Sequence, residues 1–203
     1  MGAMPIVFVV DDDQAVRDSL RWLIESVGYR AAIFESADGF IQERRDDGPA
    51  CLLLDVRLPG MSGLELQRII SETGRSMPVI LITGHGDVRM AVSAMKCGAF
   101  DFMEKPFDDT ALLDRIRQAL SHDEGGLQQQ ARRDGIASHL ALLTPREREV
   151  FDMVVQGHSN RNIAQTLQIS PKTIEVHRAH MMRKMKAESV AALVRMSMVI
   201  EHR

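Results

Sequence analysis

Along residues 5–121, short apolar runs alternate with stretches of helical period. The runs fall at 5–10, 30–34, 51–55, 78–82 and 100–103. The stretches with apolar residues three and four apart fall at 14–27, 36–46, 63–73, 87–97 and 108–121. A strand whose apolar residues do not alternate with polar ones is buried on both faces, as in a parallel sheet. Five repeats of strand then helix therefore predict a parallel sheet with helices on both faces. Right-handed crossovers prune the topologies. A flavodoxin-like order is the natural choice for an α/β domain of five such units.

From residue 122 the pattern changes. His122-Asp123-Glu124-Gly125-Gly126 interrupts the helical period, and a polar stretch follows through Arg133. Residues 122–139 read as a linker, one that could continue the preceding helix, although Gly125, Gly126 and Gly135 weaken helix formation. Residues 140–203 contain no strand pattern. Thr144-Pro145 with Glu147 three places after the threonine is a capping box with proline at the first helical position; this helix runs to about Gln156, before Gly157. Ser159 starts a second helix to about Leu167, Ser170-Pro171 a third to about Met185, and Ser189 a fourth. The short turn between the second and third predicts a helix-turn-helix inside a four-helix, all-α domain. The chain thus divides into 4–121, 122–139 and 140–203, with residues 1–3 read as an addition ahead of a start at Met4.

Charge separates the same two parts. Residues 1–122 carry 13 Lys+Arg against 19 Asp+Glu, a net of -6; residues 140–203 carry 10 against 6, a net of +4. A basic C-terminal part beside an acidic N-terminal one suggests two modules with different partners, the basic one suited to nucleic acid. No apolar stretch is long enough for a membrane helix, and the first residues lack the layout of a signal peptide. Cys51 and Cys97 lack metal-ligand spacing and read as reduced core thiols of a cytoplasmic protein.

The first module carries its chemistry at strand ends. Asp11-Asp12-Asp13 closes the first run, Asp55 the third and Thr83 the fourth, and Lys105 follows the fifth. In open α/β sheets the C-terminal strand edge is where sites assemble. Clustered carboxylates repel unless a cation sits among them. Magnesium, or manganese, suits such oxygen ligands. A cation, an ammonium and a hydroxyl around one carboxylate suit phosphoryl transfer to that carboxylate.

Val9-Val10-Asp11-Asp12-Asp13, the stretch from Leu54-Asp55 to Gly63, Thr83-Gly84-His85-Gly86 and Lys105-Pro106 resemble the receiver domain of bacterial response regulators. The resemblance covers residues 5–121. It implies that Asp55 is the phosphoacceptor for a sensor histidine kinase. It implies that Asp12, Asp55 and the Arg57 backbone carbonyl hold the metal directly, with Asp11 acting mostly through water. Thr83 and Lys105 are then the groups that meet the phosphoryl oxygens, and Thr83 and Phe102 form the switch. Phenylalanine stands at 102 where the family often has tyrosine, so its signal must be one of packing. The Lys105–Pro106 bond is expected to be cis, and His85 is expected to be an exposed loop residue. Met90, Ala94, Met95, Phe100 and Phe107 lie in the part that would pair between two activated copies.

In the second module, Ile174, His177, Met181 and Met185 fall on one stripe of the third helix, the packing face. A recognition helix reads base edges from its N-terminal part while cations hold phosphates. Lys172, Arg178 and Arg183 are candidates for phosphate; Thr173, Glu175, Val176 and Ala179 are candidates for bases. Leu143 to Val150, Gly157, Ser159-Asn160, Ile163-Ala164 and Ile169 to Arg178 resemble the LuxR-type helix-turn-helix. Asn162 departs from it, since that family usually has glutamate there. The two parts together resemble the FixJ-like subgroup of two-domain regulators. This implies a DNA-binding transcription regulator of a two-component system. It would be phosphorylated on Asp55, dimerise when phosphorylated and bind an inverted repeat in promoter DNA, where RNA polymerase is a further partner it could meet. The receiver would catalyse only its own phosphotransfer and dephosphorylation. Two other readings remain at this level: a phosphohydrolase with Asp11 and Asp13 as an acid pair, and a C-terminal bundle that binds protein or RNA.

Overall fold

A computed structural model describes residues 4–44, 48–72, 77–84 and 88–201. The expectation for His85 lies outside the described residues, as does that for residues 1–3.

The chain forms two compact units, residues 1–127 and 128–203. In the first, strands β1 (Ile6–Val10), β2 (Arg30–Phe34), β3 (Ala50–Asp55), β4 (Val79–Thr83) and β5 (Asp101–Glu104) make one sheet. Its order is β2-β1-β3-β4-β5, and all the pairings are parallel. The helices are α1 (Gln14–Ser26), α2 (Ala37–Glu43), α3 (Gly63–Glu72), α4 (Val88–Lys96) and the start of α5 (Asp109–Ala141). Successive side chains of a strand point to opposite faces, and the two cores follow this period. Phe8, Val10, Leu52 and Leu54 pack with Phe40, Leu66 and Ile70 from α2 and α3. Val7, Val9, Cys51 and Leu53 pack with Leu20, Ile24, Leu112 and Ile116 from α1 and α5.

Cys51 is buried, as expected of a core thiol, and burial first, then the Asp123 carboxylate, pushes its pKa up. Cys97 is not a core thiol: it is exposed. The buried positions at this end of α4 are Ala94 and Ala99, and the chain turns between them through Gly98 at φ +85°, which leaves Cys97 on the outside.

Residues 122–139, expected as a linker, form the middle of α5. Leu112, Ile116 and Leu120 of this helix belong to the core of the first unit, and Ile136 and Leu140 to the core of the second. Packing at both ends outweighs the weak propensity of the glycines between them. The last anchor in the first unit is Asp123, 5% exposed, whose carboxylate accepts the Ala50 amide at 2.9 Å.

The second unit comprises the end of α5 with α6 (Pro145–Val155), α7 (Asn160–Leu167), α8 (Pro171–Lys184) and α9 (Val190–Glu201). Thr144 and Glu147 make the full capping box of α6, and Ser159 and Ser170 cap α7 and α8. Val150, Phe151, Ile163, Ile174, Met181, Met185 and Leu193 make its core. Gln168, between α7 and α8, is left-handed at φ 55°.

Candidate functional site

Strand register assembles the acidic site. Val10 pairs with Leu54, so Asp11 and Asp55 follow on neighbouring strands. Asp55 pairs with Ile82, one residue before Thr83. Thr83 pairs with Glu104, one residue before Lys105, and the Lys105 amide donates to the Thr83 carbonyl at 2.8 Å. Thr83 is fully buried, and the Lys105–Pro106 bond is cis.

Lys105 ties the two buried acids together. Its Nζ donates to Asp11 Oδ2 at 2.6 Å and to Asp55 Oδ2 at 2.7 Å. The other oxygen of each acid accepts a backbone amide: Asp13 N–H to Asp11 Oδ1 at 3.0 Å, and Arg57 N–H to Asp55 Oδ1 at 2.8 Å. Burial is the main influence on Asp11 and raises its pKa, against the opposing pull of Lys105 and the Asp13 amide. Burial would lower the pKa of Lys105, but its bonds to Asp11 and Asp55 outweigh it and hold the ammonium more basic than usual. The lysine is thus a fixed cation at neutral pH.

Asp12 is exposed, and ligand oxygens of Asp11, Asp12 and Asp55 lie within 4.8 Å of one another. An all-carboxylate donor set open on one side fits a hard divalent cation that retains water. Asp13 takes no part in it: its Oδ1 accepts Ala15 and Val16 amides as the N-cap of α1. The acid pair required by a hydrolase reading is absent, since one of its members is a helix cap.

The loop after Asp55 is held from the far side. Ser62 and Glu65 exchange hydrogen bonds at the start of α3, and the Gly63 amide donates to the Val56 carbonyl at 3.1 Å. A Cβ at Gly63 would overlap the Asp55 carbonyl. The sequence reading did not single out Gly63; its only signal is its place directly after the Pro59-Gly60-Met61-Ser62 turn. Phe102 is half-buried on β5 against the α2–α3 side core. Ala94 is fully buried, whereas Met95 is 48% exposed.

In the second unit Lys172, Thr173, Glu175, Val176, Ala179 and Arg183 are exposed on α8, and Ile174, Met181 and Met185 are buried. Thr173 is partly committed to the helix start, its amide and hydroxyl both bonded to Ser170 Oγ. Arg178 is half-buried and donates from Nη1 to Asn160 Oδ1 at 2.7 Å. Glu147 joins Thr144 to Lys184, whose Nζ lies 2.6 Å from Oε2. Burial raises the pKa of Glu147, but Lys184 and the Thr144 amide overcome it and hold it down to about 2.

Residues 7–117 match the family described as response regulator receiver domain, and residues 141–197 match the bacterial regulatory proteins of the luxR family. The chain is a two-domain response regulator of the FixJ-like type. The transcriptional regulatory protein FixJ of Azorhizobium caulinodans is 47% identical over 194 residues, 95% of this chain and 92% of the relative. The response regulator protein TodT of Pseudomonas putida is 41% identical over 95% of the chain and 85% of its own length. Among solved structures, the response regulator StyR matches with a TM-score of 0.88 at 41% identity, covering 97% of this chain and 99% of that one. Full-length FixJ from B. japonicum matches at 0.57 and 42% identity, covering 98% of both. The regulator is a DNA-binding transcription regulator of a two-component system, not a classical enzyme, with a sensor kinase and DNA as its partners. Among the described residues no helix is long and apolar enough to cross a membrane.

Proposed function

We propose that Asp55 is the phosphoacceptor, and that its phosphorylation drives dimerisation and promoter binding in the cytoplasm. The supporting observation is the Lys105 ammonium shared between Asp11 and Asp55. An Asp55 oxygen attacks the phosphorus of a kinase phosphohistidine. The new P–O bond forms as the P–N bond breaks, and the imidazole leaves with a proton. Lys105 is already cationic and within reach of the incoming phosphoryl oxygens, so it needs no proton transfer to neutralise them. Thr83, on the next strand end, donates its hydroxyl to a phosphoryl oxygen. Asp11, Asp12, Asp55 and the Arg57 carbonyl would hold magnesium or manganese, which when bound neutralises developing phosphate charge. Self-dephosphorylation is attack of water on the same phosphorus.

Movement of Thr83 toward the phosphoryl group opens space that half-buried Phe102 can enter, altering the α4–β5 surface on which a second copy docks. Twofold pairing of two output units suits an inverted repeat. Lys172, Arg178 and Arg183 hold phosphates there, while Thr173, Glu175, Val176 and Ala179 face bases. Intact mass after incubation with magnesium and a small-molecule phosphodonor tests the assignment. One phosphate added to the native chain and none to Asp55→Asn, with dimerisation following the addition, is the expected result. Addition that persists in Asp55→Asn overturns it.

A further inference from the structure

Arg178 stands on the DNA-facing helix, yet its guanidinium reaches back to α7. The partner it meets there, Asn160, is the first residue of α7, and both side chains are half-buried. Among the described residues no carboxylate pairs with Arg178. A carboxamide oxygen fixes the direction of a guanidinium without cancelling its charge, whereas an aspartate at the same place would fix and neutralise it. Aspartate would also suit the first turn of a helix better, because the positive end of the helix favours anions and disfavours a nearby cation. Asparagine therefore leaves a full positive charge aimed and unneutralised at a place where the free protein gains nothing from it. That arrangement becomes favourable when an anion arrives.

We infer that Asn160 is a positioning residue that aims Arg178 at one backbone phosphate of bound DNA. The inference rests on the reading above that α8 faces DNA and that Arg178 is among its contacts. The remaining guanidinium donors are free to grip phosphate oxygens, since one Nη1 hydrogen is spent on Asn160. The bond couples α7 to α8, so the grip is also a check that the helix-turn-helix is correctly packed.

The test uses the full chain and a mixed-sequence duplex of about 30 base pairs, long enough for the roughly 16-base-pair reach of two half-sites. Affinity is measured across a salt series beside thermal stability for Arg178→Ala, Asn160→Ala, Asn160→Asp and Asn160→Asp in the Arg178→Ala background. Loss of one phosphate contact lowers the log–log salt slope by about 0.9 and the affinity about fivefold at 0.15 M salt. Arg178→Ala should produce that change. Asn160→Asp should match it while holding or raising the melting temperature, and Asn160→Ala should fall between native and Arg178→Ala. In the double variant, aspartate should add little further loss. A native slope in Arg178→Ala overturns the underlying reading that Arg178 touches DNA. A lowered slope there but a native slope in both Asn160 variants overturns the inference alone. So does an Asn160→Asp loss that persists in full without Arg178, because the aspartate would then act by its own charge.

Discussion

Gly63 lies directly against the Asp55 carbonyl, with no room for a side chain between them. The start of α3 therefore closes on the backbone that carries the phosphoacceptor, and the two move together. Gly63→Ala must open this contact. It should lower stability by about 1–3 kcal/mol and slow phosphodonor uptake at Asp55 more than the same substitution at Gly125. Denaturant melts and intact-mass time courses on both variants check this.

Lys105 is the internal counter-ion of the acidic site. Lys105→Met leaves Asp11 and Asp55 facing each other without it, and should destabilise the metal-free protein by about 3 kcal/mol, as for other broken buried pairs. Magnesium should then raise the melting temperature more in the variant than in the native chain, because the added cation replaces a missing one. Equal magnesium shifts in the two would refute this.

Glu147 links pH to the stability of the second unit. Its pKa in the fold is held down to about 2, from an ordinary value of 4.5. A lowered folded value contributes stability above the unfolded pKa, and that contribution is lost as pH falls from about 4.5 toward about 2. Glu147→Gln removes the charge and should flatten this acid limb while costing about 1–3 kcal/mol at neutral pH. Chemical-shift titration of the α6 and α8 amides reads the transition directly.

Asn162 leaves half a capping box unbuilt. Its amide donates to Ser159 Oγ at 3.2 Å, as that of Glu147 does to Thr144. A glutamate could return a carboxylate to the Ser159 amide. Asn162→Glu should stabilise by about 0.5–1 kcal/mol, and Gln168→Gly should add about 1 kcal/mol by relieving its left-handed backbone. Both are read as shifts in denaturation midpoint.

Gly125 and Gly126 lie in the exposed middle of α5 with open space where a Cβ would project. Alanine at either should strengthen the helix by about 0.8–1.0 kcal/mol. Amide exchange across residues 121–132 should slow accordingly in each variant.

The sheet and its chemical edge were legible because each strand is an unbroken apolar run that stops at a functional residue. Parallel pairing then places Asp11, Asp55, Thr83 and Lys105 side by side without further information. Other features depend on distances that no local pattern encodes. Nothing around Gly63 marks it apart from other turn glycines, and the Arg178–Asn160 bond spans 18 residues. Cys97 was misplaced because a helix-end cysteine before glycine fits a buried or an outward position equally well, and only the packing of Ala94 and Ala99 decides. The continuity of α5 ran against the propensity of its glycines, since the packing that holds it comes from Leu120 and Ile136, on either side of them.

Asp11, Asp12 and Asp13 are one acidic word in the sequence but three separate parts in the fold. The first is buried on Lys105, the second is open to solvent, and the third closes the end of α1. Adjacent codons thus answer to an electrostatic, a ligand-binding and a folding requirement. None can stand in for its neighbour, and genetic drift at this triplet has no redundancy to absorb it.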